Sequence, residues 1–104
     1  MIVTAWNNGK HYKTGAGYGF KFSIIDRDRH IRRTWKTVVV QLPDGKKVEA
    51  NIDKQSFWSG CREIISSEFG AWLLENGHAP WPNGNPPKFE LTYQSDNVFK
   101  LDGT

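Results

Sequence analysis

The chain has little cysteine and no long apolar run. Cys61 is the one cysteine among 104 residues, so neither an internal disulfide nor a cysteine-rich metal site is available. Apolar runs are short, as at Val38–Val40, against the roughly 20 residues that cross a bilayer. Polar residues from Asn7 to His11 interrupt the stretch where a signal peptide needs an apolar segment. These absences predict a cytoplasmic protein with no membrane-spanning segment.

Patterns typical of catalytic and metal sites are also missing. The three histidines stand alone in the sequence, at His11, His30 and His78. Their spacing does not place two imidazoles on one face of a helix, so no zinc site is predicted. Asp44 and Glu49 lack the Glu-x-Lys continuation of a metal-dependent nuclease, and residues 15–19 lack the strand and helix that frame a nucleotide-binding loop. We therefore expect no metal, no cofactor and no enzymatic activity from a single domain, residues 1–104.

Positive charge is concentrated in the first third of the chain. The formal net charge is +3, but residues 1–36 hold eight basic and two acidic side chains, whereas residues 37–104 hold six basic and nine acidic ones. The basic residues of the first group are Lys10, Lys13, Lys21, Arg27, Arg29, Arg32, Arg33 and Lys36. A field of one sign attracts an anionic partner. Nucleic acid, DNA or RNA, is the partner this asymmetry favours if these residues share a face.

Aromatic rings lie among these cations. Tyr12, Tyr18 and Trp35 are candidates for stacking on bases, provided that the folded protein exposes them. Residues 26–36 combine guanidinium groups with rings, a mixture that suits a phosphate backbone with unstacked bases nearby. The alternative is a solvated connector in which Asp26 and Asp28 neutralise neighbouring arginines.

A short glycine and aromatic stretch has a local likeness to known nucleic-acid binders. Gly17-Tyr18-Gly19-Phe20 resembles the base-stacking strand of RNA-recognition domains and cold-shock proteins. The likeness covers four residues, and Ala16 and Lys21 depart from the pattern on either side, so membership of neither family is predicted. The alternative interpretation is that the glycines relieve crowding where the chain enters a strand.

Hydrophobic periodicity predicts six strands and one helix in the order ββββαββ. A period of two and flanking turn residues indicate strands at residues 2–6, 18–25, 34–42, 47–52, 89–93 and 98–101. Pro43-Asp44-Gly45-Lys46 predicts a hairpin between the third and fourth strands. The predicted class is therefore α+β, with an antiparallel, twisted or partly barrel-like sheet of five to six strands packed on one main helix.

The main helix is expected at about residues 56–76. At 100° per residue its apolar side chains fall within an arc of roughly 140°. They are Phe57, Cys61, Ile64, Ile65, Phe69 and Trp72. In this interpretation Cys61 is a buried filler. Glu68 also lies within the arc, and we expect it to pair with an arginine, the alternative being a semi-buried acid of raised pKa.

Trp81 suggests a different class of function. It lies between Pro80 and Pro82 in a loop that holds four of the five prolines. An indole on a stiffened loop loses little entropy on binding, and tryptophan is enriched at interface hot spots. The alternative to nucleic-acid binding is therefore a non-enzymatic protein-interaction module that docks through Trp81.

Overall fold

The computed structural model describes residues 1–103, and this part of the chain contains seven strands and three helices. The strands are β1 (Ile2–Asn7), β2 (Tyr18–Lys21), β3 (Thr37–Gln41), β4 (Lys47–Asn51), β5 (Glu63–Ile65), β6 (Lys88–Ser95) and β7 (Val98–Asp102). The helices are α1 (Ile24–His30), α2 (Gln55–Trp58) and α3 (Ser67–Glu75). None of the described helices is long and apolar enough to cross a membrane.

All seven strands belong to one mixed sheet with the order β4-β3-β7-β6-β1-β2-β5. Neighbouring strands are antiparallel except β3 and β7, which are parallel. The edge strands β4 and β5 contact each other, so the sheet curls into a nearly closed barrel. The α+β class is confirmed, but the strand count, the purely antiparallel pairing and the single main helix are corrected.

The hairpin predicted at Pro43-Asp44-Gly45-Lys46 joins β3 to β4. Gly45 has a φ of +92°, which side-chain-bearing residues rarely adopt, and the Asp44 carboxylate accepts a hydrogen bond from the Lys46 amide at 2.9 Å. The expected final hairpin is also present, as β6 and β7. Both predicted hairpins are therefore confirmed.

The predicted helix over residues 56–76 is wrong. The chain instead forms α2, then β5, then α3, with a turn at Arg62 whose φ is +59°. Ile64 of β5 pairs with Phe20 of β2, a partner far away in sequence, and Ser66 caps α3 by accepting a hydrogen bond from the Glu68 amide at 3.2 Å. Tertiary strand pairing thus overrides an apolar pattern that a helix would also satisfy.

Two interpretations that depended on that helix change with it. Cys61 lies in the turn before β5 and is exposed, so it is not a core filler. Glu68 is exposed in the first turn of α3, and its carboxylate forms an ion pair with Lys46 at 3.6 Å instead of with an arginine. Exposed pairs of this kind contribute little to stability.

The second predicted strand ends at Lys21 and gives way to a helix. The Ser23 hydroxyl accepts a hydrogen bond from the Asp26 amide at 3.1 Å, which caps the start of α1. The third strand correspondingly begins at Thr37 and not at Thr34. The Ser-x-x-Asp pattern, a helix-start signal, therefore outweighs the apolar alternation that continues to Ile25.

The glycines of residues 15–19 serve close packing. A Cβ on Gly15 would overlap the backbone of α3, one on Gly70 of α3 would overlap the Gly15 carbonyl, and one on Gly19 would overlap the Ile64 carbonyl. Tyr18 and Phe20 are both fully buried in the core inside the barrel. These rings are not available to bases, so the local likeness to base-stacking strands does not extend to their exposed aromatic residues.

Candidate nucleic-acid interface

The basic residues of the first third are divided between the two ends of the β1–β2 hairpin. Asn7 pairs with Tyr18 at one end, and Thr4 pairs with Lys21 at the other. The connecting loop leaves the first end and carries Lys10, Tyr12 and Lys13. α1 follows the other end, beyond the four residues of β2, which span about 13 Å. The predicted face over residues 10–36 is therefore not one continuous patch.

Arg27 is a structural residue in the middle of the basic segment. It is 7% exposed, and its Nη1 donates hydrogen bonds to the Phe57 carbonyl at 2.9 Å and the Ser59 carbonyl at 3.1 Å. Its Nε donates to the Asp28 carboxylate at 2.9 Å, and its guanidinium lies 5.5 Å from the Trp58 ring centroid. Arg27 thus ties α1 to α2 and is not available to a phosphate.

Two further cations of this segment are partly engaged within the protein. The exposed Lys36 ammonium forms an ion pair with Asp53 at 3.3 Å. The guanidinium of Arg33 lies 5.0 Å from the Trp58 ring centroid, a cation–π distance, and lines a shallow depression with Lys54 and Asp53. Arg33 keeps its hydrogen-bond donors, whereas the charge of Lys36 is offset by its partner.

The remaining arginines of the segment meet an aromatic surface. Arg29 and Arg32 line a concavity of about 450 Å³ that we name the Tyr93 recess. Its other lining residues are Asp28, His30, Ile31, Trp35 and Tyr93. Within residues 1–103, the guanidinium groups of Arg29 and Arg32 form no ion pair and no side-chain hydrogen bond. The recess therefore combines two unpaired guanidinium groups with rings, beside the carboxylate of Asp28, which pairs with Arg27.

Tyr93 was not predicted as a site residue. It lies opposite Phe99 in the β6–β7 pair and therefore on the core face, with the two ring centroids 5.6 Å apart. It is nevertheless 56% exposed, because it lies near the end of β6 and extends beyond the buried core. Trp35 also packs on Phe99, and the centroids of these two rings are 6.4 Å apart. Strand alternation alone assigns Tyr93 to the core, so the sequence contains no signal of its exposure.

The other two predicted aromatic candidates lie away from the recess. Tyr12 is 46% exposed in the loop at the far end of the β1–β2 hairpin. Tyr18 is fully buried, its hydroxyl lies 2.9 Å from Nδ1 of His11, and burial raises its pKa. Tyr18 therefore does not meet the condition of exposure on which its proposed stacking depended.

Trp81 is half-buried against the first end of the hairpin. Its ring centroid lies 5.7 Å from that of Tyr18 and 6.1 Å from that of His11, both in edge-on arrangements. A groove of about 280 Å³ runs beside it and is also lined by Trp6 and Pro86. Among residues 1–103, no Asp, Glu, Lys or Arg lines this groove, and His11 is its one ionisable side chain.

Lys21 belongs to a separate basic cluster on the outer face of the sheet. It lines a depression with Arg62 and Lys88. Glu63, which pairs with Lys21 across β2 and β5, is 7% exposed. Burial raises the pKa of the Glu63 carboxyl, and the positive charges of Lys21, Lys54 and Arg62 oppose that rise. This cluster contains its own acid, which reduces its attraction for a second anion.

Metal coordination and relationships to known proteins add no further candidate. Among residues 1–103, no group of three or more His, Cys, Asp or Glu side chains is arranged to hold a metal ion. Comparison with known proteins finds no matching family model, no matching curated protein and no matching solved structure. Function is therefore inferred from geometry and charge alone.

Proposed function

We propose that this protein is a small, non-enzymatic, cytoplasmic binding module for an anionic partner, nucleic acid being the first choice. The partner binds at the Tyr93 recess. The lone Cys61 is consistent with a reducing compartment. Lys10 and Lys13 are left out of the contact surface because they lie at the far end of the hairpin. Lys21 is left out because it lines a separate depression with Arg62 and Lys88, and Arg27 because of its burial.

The observation that carries this proposal is the association of free guanidinium groups with an exposed ring in one concavity. Arg29 and Arg32 offer planar donors that fit phosphate oxygens, and Tyr93 offers a π surface beside them. A purely structural arginine is paired or buried, as Arg27 is. Two unpaired arginines beside an exposed tyrosine leave donors free for phosphate and a ring free for a base.

The test is a charge reversal in the recess with a matched reversal elsewhere. We expect Arg29→Glu combined with Arg32→Glu to abolish binding of short fluorescent oligonucleotides in an anisotropy titration. The control is Lys10→Glu combined with Lys13→Glu, which changes net charge equally at the far end of the hairpin. Equal losses in the two double variants would indicate attraction by net charge alone and would contradict a site at the recess.

Salt dependence separates phosphate contacts from aromatic docking. For the wild type, log affinity is expected to fall linearly with log salt by about 0.7 to 0.9 for each phosphate neutralised. Absence of binding to both single- and double-stranded oligonucleotides at low salt would end the nucleic-acid proposal.

A second candidate function is protein interaction through the Trp81 groove. The indole N–H groups of Trp6 and Trp81 form no hydrogen bond within residues 1–103, and no Asp, Glu, Lys or Arg of that range lines their groove. Aromatic grooves with free donors suit extended peptides. In this case Trp81→Ala abolishes partner binding, which is insensitive to salt, and the recess variants leave that binding intact.

A further inference from the structure

The shape of the Tyr93 recess points to the form of nucleic acid that it binds. We propose that the ligand is single-stranded, with one unpaired base stacked on Tyr93 and its flanking phosphates held by Arg29 and Arg32. This inference rests on the proposed function and adds to it the strandedness of the ligand and the residue that contacts the base.

The first argument is that the exposed ring of Tyr93 lines a concavity. Tyr93 and the half-buried Trp35 line a concavity of about 450 Å³, within the range of roughly 300 to 1,000 Å³ that holds small ligands. A base reaches the face of such a ring only if it is unstacked and unpaired. Bases within a duplex present their edges in the grooves, and those edges do not reach into a recess of this kind.

The second argument is the unsuitability of α1 for a duplex groove. This helix has seven residues, and its exposed side chains include Ile24 and Ile25, which are 50% and 66% exposed, and the acidic Asp28. Exposed isoleucines bring no donor to phosphate, and Asp28, which also lines the recess, is paired with Arg27. Duplex binding relies on many phosphate contacts, whereas two unpaired cations, Arg29 and Arg32, line the recess.

The third argument is the small number of cations. With Arg29 and Arg32 as the phosphate contacts, the slope of log affinity against log salt for a single strand is about 1.4. Affinity therefore depends strongly on the stacked base, and a ligand that has phosphates but no bases is expected to bind weakly.

The experiment compares three ligands and matched variants by anisotropy and competition. The ligands are a labelled 12-nucleotide oligothymidylate, a labelled 12-base-pair duplex, and inorganic polyphosphate as a base-free competitor. We expect the single strand to bind at least about ten-fold more tightly than the duplex, and polyphosphate to compete poorly. Tyr93→Leu is expected to weaken single-strand binding by about ten-fold or more without changing the salt slope, because it removes stacking and no charge.

The control variants isolate the ring at position 93. Tyr93→Phe keeps the ring and is expected to retain affinity within about two-fold. Tyr12→Leu removes a similarly exposed tyrosine at the far end of the hairpin and is expected to have no effect. Arg32→Gln is expected to lower the salt slope by about 0.7. Thermal unfolding of Tyr93→Leu verifies that the variant is folded.

The outcomes distinguish failure of this inference from failure of the proposed function. Equal affinity for duplex and single strand, or wild-type binding by Tyr93→Leu while Arg32→Gln is impaired, would overturn base stacking and leave phosphate binding at the recess intact. No binding of any oligonucleotide at low salt would overturn both.

Discussion

Replacement of Arg27 tests whether one arginine of the basic segment has a structural role. In Arg27→Met the aliphatic stem keeps most of its volume, and the guanidinium is lost. The carbonyls of Phe57 and Ser59, which accept hydrogen bonds from Nη1 at 2.9 and 3.1 Å, then lose their donor. The link between α1 and α2 is removed, and Asp28, which lines the Tyr93 recess, loses its partner, while Arg29 and Arg32 themselves are unchanged.

The expected loss of stability follows from the environment of each contact. The buried bond to Phe57 has a charged donor and contributes about 1.5 to 3 kcal/mol, the part-buried bond to Ser59 about 1 kcal/mol, and the mostly exposed pair with Asp28 under about 1 kcal/mol. Since methionine is cheaper to bury than a guanidinium, part of this sum is offset. We expect a net loss of about 3 kcal/mol, a large fraction of the roughly 5 to 15 kcal/mol that stabilises a domain.

Urea unfolding followed by tryptophan fluorescence measures this loss. The urea concentration at the unfolding midpoint is expected to fall, while the slope of the unfolding free energy against urea stays unchanged. The thermal midpoint is expected to fall by about 12 to 20 °C. Arg29→Met, an exposed arginine on the same helix, is the matched control and should change stability by less than about 0.5 kcal/mol. If the two variants unfold at the same urea concentration, Arg27 has no special structural role and the separation of structural from binding arginines is wrong.

Three further substitutions test the packing and the buried polar groups. Gly70→Ala should destabilise the protein by about 2 kcal/mol despite better helix propensity, because the new Cβ overlaps the Gly15 carbonyl; urea unfolding measures this. Tyr18→Phe should cost about 1 kcal/mol in the same assay, since it removes the hydroxyl that bonds to His11. Glu63→Gln should stabilise the protein at a pH above the raised pKa of Glu63, where the buried carboxylate carries its charge. That gain should disappear as the pH falls through the raised pKa, because the carboxyl then becomes neutral; a gain independent of pH would refute the assignment.

Local signals in the sequence predicted the β3–β4 turn and the two strands that flank it. Pro43 to Lys46 has the residues that a tight turn requires, and both flanking strands follow the inward and outward alternation that was expected. Such features depend on nearest neighbours in the chain. They are therefore visible without knowledge of the tertiary structure.

The segment over residues 56–76 was not predictable in the same way. Phe57, Ile64 and Phe69 recur at a spacing that suits a helix, yet they belong to three different elements that all face one core. The decisive interaction is the pairing of β5 with β2, between residues more than 40 positions apart. Apolar periodicity indicates which residues are buried, but it does not indicate which elements bury them.

The candidate site was predicted in part for the same reason. Sequence reasoning selected Arg29, Arg32 and Trp35, which the fold places around one recess. It also selected Arg27, whose burial depends on contacts with α2, and it did not find Tyr93, which a different part of the chain supplies. Charge along a sequence indicates the sign of a partner, whereas the set of free cations depends on tertiary packing.

The position of β6 and β7 in the sheet has a consequence for synthesis of the chain. These strands are the latest described elements in the sequence, yet they lie between β3 and β1 and join the β3–β4 pair to the β1–β2–β5 group. While a ribosome is still making residues 88–102, the two groups share no hydrogen-bonded strand pair, and β1 and β3 each present an unsatisfied edge. Unpaired strand edges favour pairing with other chains, so the growing polypeptide is exposed to intermolecular strand pairing until β6 and β7 emerge.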